Sequence, residues 1–147
     1  MYHSIILEDL LDLFNLHQLY KINPPKGIEE IIQKMIKWLE AMCHPDGEIS
    51  FFNDAALNNT TSTKELIEYA KRLGFSQQES LSKFIDLKES GYSRVSLNNA
   101  VAIIDRAAVG PDYLPGHAHA DTLSFELSIF SHRVIVNSGT SIYGNGI

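Results

Sequence analysis

The stretch Pro-Gly-His-Ala-His-Ala-Asp, residues 115–121, sets two imidazoles and a carboxylate at alternate positions straight after a glycine. On an extended backbone residues two apart project from one face, so His117, His119 and Asp121 would line one side of the chain. Imidazole nitrogen and carboxylate oxygen suit zinc, and three such ligands with a water make a catalytic site. The same residues also suit proton transfer, because histidine titrates near neutral pH. A third reading is a hydrogen-bonded polar loop in which Asp121 pins the first turn of a strand.

The elements that must position this stretch change character along the chain. Ile6, Leu7, Leu10, Leu11 and Phe14 follow a helical period, with Glu8, Asp9 and Asp12 off that stripe as a solvated face. The paired prolines of Asn-Pro-Pro-Lys-Gly, residues 23–27, break the helix. A second helix carries Ile28, Ile31, Ile32, Met35, Leu39 and Met42 on one face, with Trp38 near the edge of that face, and ends at His-Pro-Asp-Gly-Glu, residues 44–48. A third starts at an N-cap, Ser62 or Thr63, and stops before Gly74. Residues 76–87 read as weakly helical. His17 and His44 fall near helix ends and read as solvated, and His132 reads as a surface turn residue.

From residues 88–92 onward the period becomes that of strands. Tyr-Ser-Arg-Val-Ser-Leu (92–97), residues 100–109, residues 122–130 and residues 133–139 are rich in β-branched and aromatic side chains between turn residues. Leu123, Phe125, Leu127 and Ile129 face one way and Thr122, Ser124, Glu126 and Ser128 the other, the pattern of a half-buried antiparallel strand. Ser131-His132 is read as a tight connection to the next strand. The fold class is therefore α+β, helices first and an antiparallel sheet after. A sheet that stops on its fourth strand leaves an open edge, so the chain is expected to be a piece of something larger.

Totals narrow the partners. The 147 residues suit one domain, and 44% hydrophobic with 20% charged is an ordinary globular balance. A net charge of -6 gives no basic patch for nucleic acid or an anionic membrane. No run of about 18 apolar residues offers a spanning helix. The start, Met-Tyr-His-Ser-Ile-Ile-Leu-Glu-Asp, lacks the basic region of a signal peptide, and the lone Cys43 reads as a packing residue.

Residues 111–144, from Pro-Asp-Tyr-Leu through Gly-His-Ala-His-Ala-Asp-Thr-Leu-Ser-Phe to Val-Asn-Ser-Gly-Thr, resemble the heparinase II/III-like polysaccharide lyases. The opening Tyr2-His3 helix resembles a helix of the family's toroid, and His-Pro-Asp-Gly-Glu-Ile-Ser-Phe-Phe-Asn-Asp-Ala-Ala resembles a toroid loop. The resemblance implies the last helices of an (α/α) toroid over residues 1–88, then the first strands of an antiparallel β-sandwich over 89–147. It implies β-elimination across a uronic acid in an acidic polysaccharide, in a family often periplasmic or secreted. A donor neutralises the carboxylate, a base takes the C5 proton, and an acid protonates the departing O4.

By the same resemblance His117 stands at the catalytic edge of the cleft and His3 acts on the uronate carboxylate or its proton. Tyr2 and Tyr113 are the nearest matches to a family tyrosine, since residues 49–57 hold Phe51 and Phe52 but no tyrosine. Asn53 and Asp54, otherwise a turn or cap, would line the substrate cleft. His119 would bind a structural zinc with Asp121 nearby and Asn137 in the place where relatives often carry an aspartate. That neutral side chain and the missing tyrosine leave a second reading: a catalytically inactive fragment or a carbohydrate-binding remnant of the family.

Overall fold

The computed structural model describes residues 2–53, 55, 60–75, 81–109 and 122–139. They separate into two compact units, one formed within residues 1–43, 47–49 and 57–81, the other within 44–46, 50–56 and 82–147.

The first unit is helical, with α1 (Tyr2–Leu19), α2 (Ile28–Ala41) and α3 (Thr63–Arg72). The α1 helix packs on both α2 and α3 around Leu7, Leu11, Phe14, Ile32, Ile36, Leu39, Leu66 and Ala70. The registers differ from the sequence reading at single positions. Ile6 and Ile31 are 52% and 51% exposed, whereas Ser4 and Ile36 are buried. The α1 helix carries apolar residues on several sides, including the exposed Ile5, Leu13 and Leu16, so periodicity alone could not select the stripe that meets α2 and α3.

Capping at α3 follows the sequence closely. Ser62 Oγ accepts from Glu65 N–H at 3.3 Å, and the Glu65 carboxylate accepts from Ser62 N–H at 3.2 Å. At its other end Gly74 takes a φ of 95°, which lets Phe75 N–H return to Ala70 C=O at 3.0 Å. The Cys43 side chain is buried and lies 3.4 Å from Thr63 Oγ1, a packing position.

The second unit is a five-stranded antiparallel sheet in sequence order: β1 (Phe84–Leu87), β2 (Tyr92–Leu97), β3 (Ala100–Asp105), β4 (Phe125–Ile129) and β5 (His132–Ile135). Strand therefore begins at residue 84, ahead of the expected 88–92. Phe84–Leu87 pair with Tyr92–Val95, and this cross-strand pairing overrides the weak local signal that had read as helix. The β4–β5 link is the two-residue turn Phe130-Ser131, both at positive φ (49° and 65°), which matches the right-handed twist of a hairpin. His132 is exposed, as expected.

Cross-strand partners define the two faces of the sheet. One carries the rows Tyr92–Asp105, Arg94–Ile103–Glu126 and Ser96–Val101–Ser128–Arg133. The other carries Val95, Leu97, Phe125 and Ile135. The alternation expected for β4 holds, but the side that is covered is the polar one. Glu126 and Ser128 are 0% and 1% exposed, while Phe125 is 45% exposed. Residues 44–46 and 50–53 supply that cover.

The register of α1 gives a direct test. Leu11→Ala should destabilise the helical unit by about 3 kcal/mol, because its side chain is fully enclosed, whereas Ile6→Ala should stay within about 0.5 kcal/mol. Denaturant unfolding of the two variants measures the difference, and equal losses would reject the observed stripe.

Candidate functional site

Glu126 organises the covered face of the sheet. Its Oε2 accepts His44 Nε2–H at 3.0 Å and the Phe51 backbone N–H at 3.1 Å, and its Oε1 accepts the Asn137 backbone N–H at 2.9 Å. The Arg133 Nη1 lies 3.5 Å from Oε2, while Arg133 Nε and Nη2 donate to the two oxygens of Asp46 at 2.7 and 3.2 Å. Burial raises the Glu126 carboxyl pKa. The bonds from His44, Asn137 and Phe51 outweigh it, and the group is held below the ordinary carboxylate value. The carboxylate is thus ionised and can only accept, so His44 donates from Nε2. On the other side of the ring, Nδ1 is hydrogen-bonded with the Ser128 hydroxyl at 2.7 Å.

This network corrects the reading of His44 as a solvated helix-end histidine. His44 is 3% exposed and belongs to the sheet unit, because the Pro45-Asp46-Gly47 turn aims it at β4 and away from the end of α2. The serine–imidazole–carboxylate order is that of a nucleophilic triad, but Ser128 is enclosed and has no reach to a substrate. The arrangement is a junction that ties three distant segments together. Sequence analysis missed Glu126 and Ser128 because polar residues at alternate strand positions ordinarily face water.

Two sequence candidates flank the junction. Asn137 follows β5, with its backbone N–H on Glu126 and its side-chain Oδ1 accepting from Gly139 N–H at 2.8 Å. Gly139 has a φ of 66°, and a Cβ there would stand 2.6 Å from the Phe51 ring, so glycine is required on both counts. Asn53 sits in a turn at a φ of 51°, and its Nδ2 donates to the Tyr92 hydroxyl at 2.7 Å. Phe52 is buried against the Tyr92 ring at a centroid distance of 5.6 Å.

Tyr2 and His3 lie in the helical unit. The His3 Nε2 donates to Met35 C=O at 2.9 Å and its ring rests on half-buried Trp38 at 4.3 Å. Burial lowers the His3 pKa, the Met35 bond opposes this, and the nearby N-terminal charge lowers it further. Tyr2 is 57% exposed at the start of α1. Glu8, read as solvated, is half-buried and accepts from Thr61 Oγ1 at 2.8 and 2.9 Å. His117, His119, Asp121, Tyr113 and Asp54 lie outside the described residues. Among the described residues no group of three or more His, Cys, Asp and Glu is placed to hold a metal, and no helix is long and apolar enough to cross a membrane.

Comparison with known proteins places residues 79–146 in the family model described as Heparinase II/III-like, C-terminal. No curated protein and no solved structure matches the chain. The matched residues include β1 to β5, Glu126, Ser128, Arg133 and Asn137, so the sheet half of the junction lies within the family segment.

The junction carries its own test. His44→Ala leaves an enclosed carboxylate without its imidazole and should cost about 3 kcal/mol or more. Glu126 has a depressed folded-state pKa, so its stabilising contribution is complete above the ordinary carboxylate range and is lost as pH falls through the lower folded value. Acid titration of thermal melts should show this loss, and Glu126→Gln should remove it. An acid limb unchanged by Glu126→Gln would rule out that ionised, paired carboxylate.

Proposed function

Because residues 79–146 belong to the heparinase II/III-like C-terminal family, we propose that the whole protein is a polysaccharide lyase acting by β-elimination on a uronic-acid-containing chain. The observation that carries this reading is the family match over a sheet whose covered face encloses a paired carboxylate, Glu126. That face encloses Glu126, Ser128, Arg94 and Asp105 together with Tyr92, Val101 and Ile103, and Glu126 binds His44 and the Phe51 backbone across it. The exposed apolar side, with Leu97 at 62% and Phe125 at 45%, has the character of the inner face of a β-sandwich. The helices are then the closing helices of an (α/α) toroid.

In this reading the substrate is an acidic polysaccharide. Amide and imidazole donors neutralise its uronate carboxylate; by the family resemblance Asn53 and Asp54 bind substrate and His3 acts on the carboxylate or its proton. His117 stands at the reacting edge, and Tyr113 or Tyr2 supplies the phenol that exchanges a proton with C5 or O4. Neutralising the carboxylate is the energetically decisive step, because it stabilises the negative charge that develops when C5 loses its proton.

Zinc is a secondary proposal. His119 and Asp121 are suitable donors by type. Asn137 contributes only a neutral amide oxygen that already accepts from Gly139 N–H, which makes it a weak third ligand. A zinc ion held there would be structural, bracing the turn after β5, and no chemical step depends on it.

Two measurements check these proposals. Uronate polymers incubated with the whole protein should gain the unsaturated product absorbing in the near ultraviolet. A flat trace across glucuronate, iduronate and mannuronate polymers would reject the lyase, and binding without product would favour the carbohydrate-binding remnant. For zinc, His119→Ala should lower bound metal, His117→Ala should not, and Asn137→Asp should raise it; metal content unchanged by all three contradicts the site.

A further inference from the structure

Within the sheet unit, residues 50–53 and the turn 137–139 are joined in a closed circuit of contacts. Glu126 Oε2 accepts the Phe51 N–H at 3.1 Å, and its Oε1 accepts the Asn137 N–H at 2.9 Å. Asn137 Oδ1 in turn accepts the Gly139 N–H at 2.8 Å. Gly139 then leads back to Phe51: a Cβ on Gly139 would stand 2.6 Å from Cε1 of that ring, so backbone and ring are in close contact. The two segments are therefore tied to each other as well as to β4. Of the four residues, only Glu126 lies on a strand.

We infer that residues 50–53 and 137–139 form one cooperative latch fastened by Glu126, opening and closing together while the strands stay paired. The carboxylate is a single planar group, so a movement that withdraws Oε2 from Phe51 also turns Oε1 away from Asn137. Its enclosure adds to this. Glu126 is fully buried, and lifting either segment admits water, which competes for the carboxylate and weakens its hold on the other. The Phe51 ring is the second tie, because it cannot leave its place without uncovering Gly139, whose N–H closes the Asn137 turn. A ligand that holds either segment closed thus holds both, and linkage makes the effect reciprocal between them. This coupling goes beyond the lyase reading and does not depend on it: whatever molecule rests on residues 50–53 also orders the turn after β5.

Amide exchange, followed residue by residue in the whole protein under graded denaturant, tests the latch. In the wild type the Phe51 and Asn137 amides should share one opening free energy and one denaturant slope, both below those of Ile103 in the middle strand of the sheet. Asn137→Ala removes the bond to Gly139 and leaves the backbone N–H on Glu126 in place. It should speed exchange at positions 137 and 51 by the same factor, roughly fivefold to tenfold. The Gly91 amide, bonded to Leu87 C=O at 2.9 Å in the β1–β2 turn, should not respond. Phe51→Leu, which takes the ring from Gly139 but keeps the backbone donor, should likewise act equally at both positions. Distinct opening energies in the wild type, or a variant that speeds exchange only in its own segment, would overturn the proposal. So would Ile103 sharing the opening of the two amides, or Gly91 responding with them, since the loops would then have no opening of their own. The wild-type comparison decides the matter even where a variant does not fold.

Discussion

A negative charge enclosed on the covered side of an antiparallel sheet has to be compensated within a few ångströms, and Glu126 imposes that condition on the rest of its unit. The compensation comes from an imidazole at residue 44 and a backbone N–H at 51, both some 75 or more positions before Glu126, and from another backbone N–H at 137. None of the three donors is useful to Glu126 unless its own segment folds back onto β4. One carboxylate therefore determines where residues 44–46 and 50–53 lie on the sheet and how the chain turns after β5. The depressed pKa of Glu126 expresses the same balance: burial acts against the charge, and the combined donors exceed it.

This condition also accounts for the inverted sidedness of β4. Glu126, Ser128, Arg94 and Asp105 are covered, and Val95, Leu97, Phe125 and Ile135 are not. Enclosing polar groups contributes little to stability even when each is satisfied, because every hydrogen bond formed replaces one to water. What such a network gives is definition, since a segment bound through a buried carboxylate cannot slip by a residue without orphaning a charge. Asn53 and Asn137 are both on segments held in this way.

Smaller constraints sharpen the same surface. Gly139 leaves room for the Phe51 ring and permits the turn in which its own N–H meets Asn137 Oδ1. The Phe52–Tyr92 contact and the Asn53–Tyr92 bond attach the end of the same segment to β2. The 50–53 run is thus held to β4 by its backbone and to β2 by its side chains. In the helical unit an apolar core is joined by side-chain bonds between its elements, such as Thr61 to Glu8 and Tyr69 to Asp12, and His3 is engaged by the Met35 carbonyl and Trp38.

The amino-acid sequence by itself determined the kinds of element and most of their limits. A helical period, paired prolines, a Ser62–Glu65 cap, Gly74 and strict alternation are local signals, and local sterics and hydrogen bonding settle them. It also carried a family resemblance, through an ordered motif in residues 111–144, within the 79–146 stretch that the family model matches. It could not decide between faces. Which stripe of α1 is buried depends on α2 and α3, and whether the polar or apolar side of β4 is covered depends on a loop 75 residues earlier meeting Glu126. The pairing that turned residues 84–87 into a strand is non-local in the same sense. The tertiary structure alone decided that His44, Glu126 and Ser128 form one junction and that a tyrosine of β2 meets Asn53, because contacts between residues tens of positions apart leave no periodic trace in the chain.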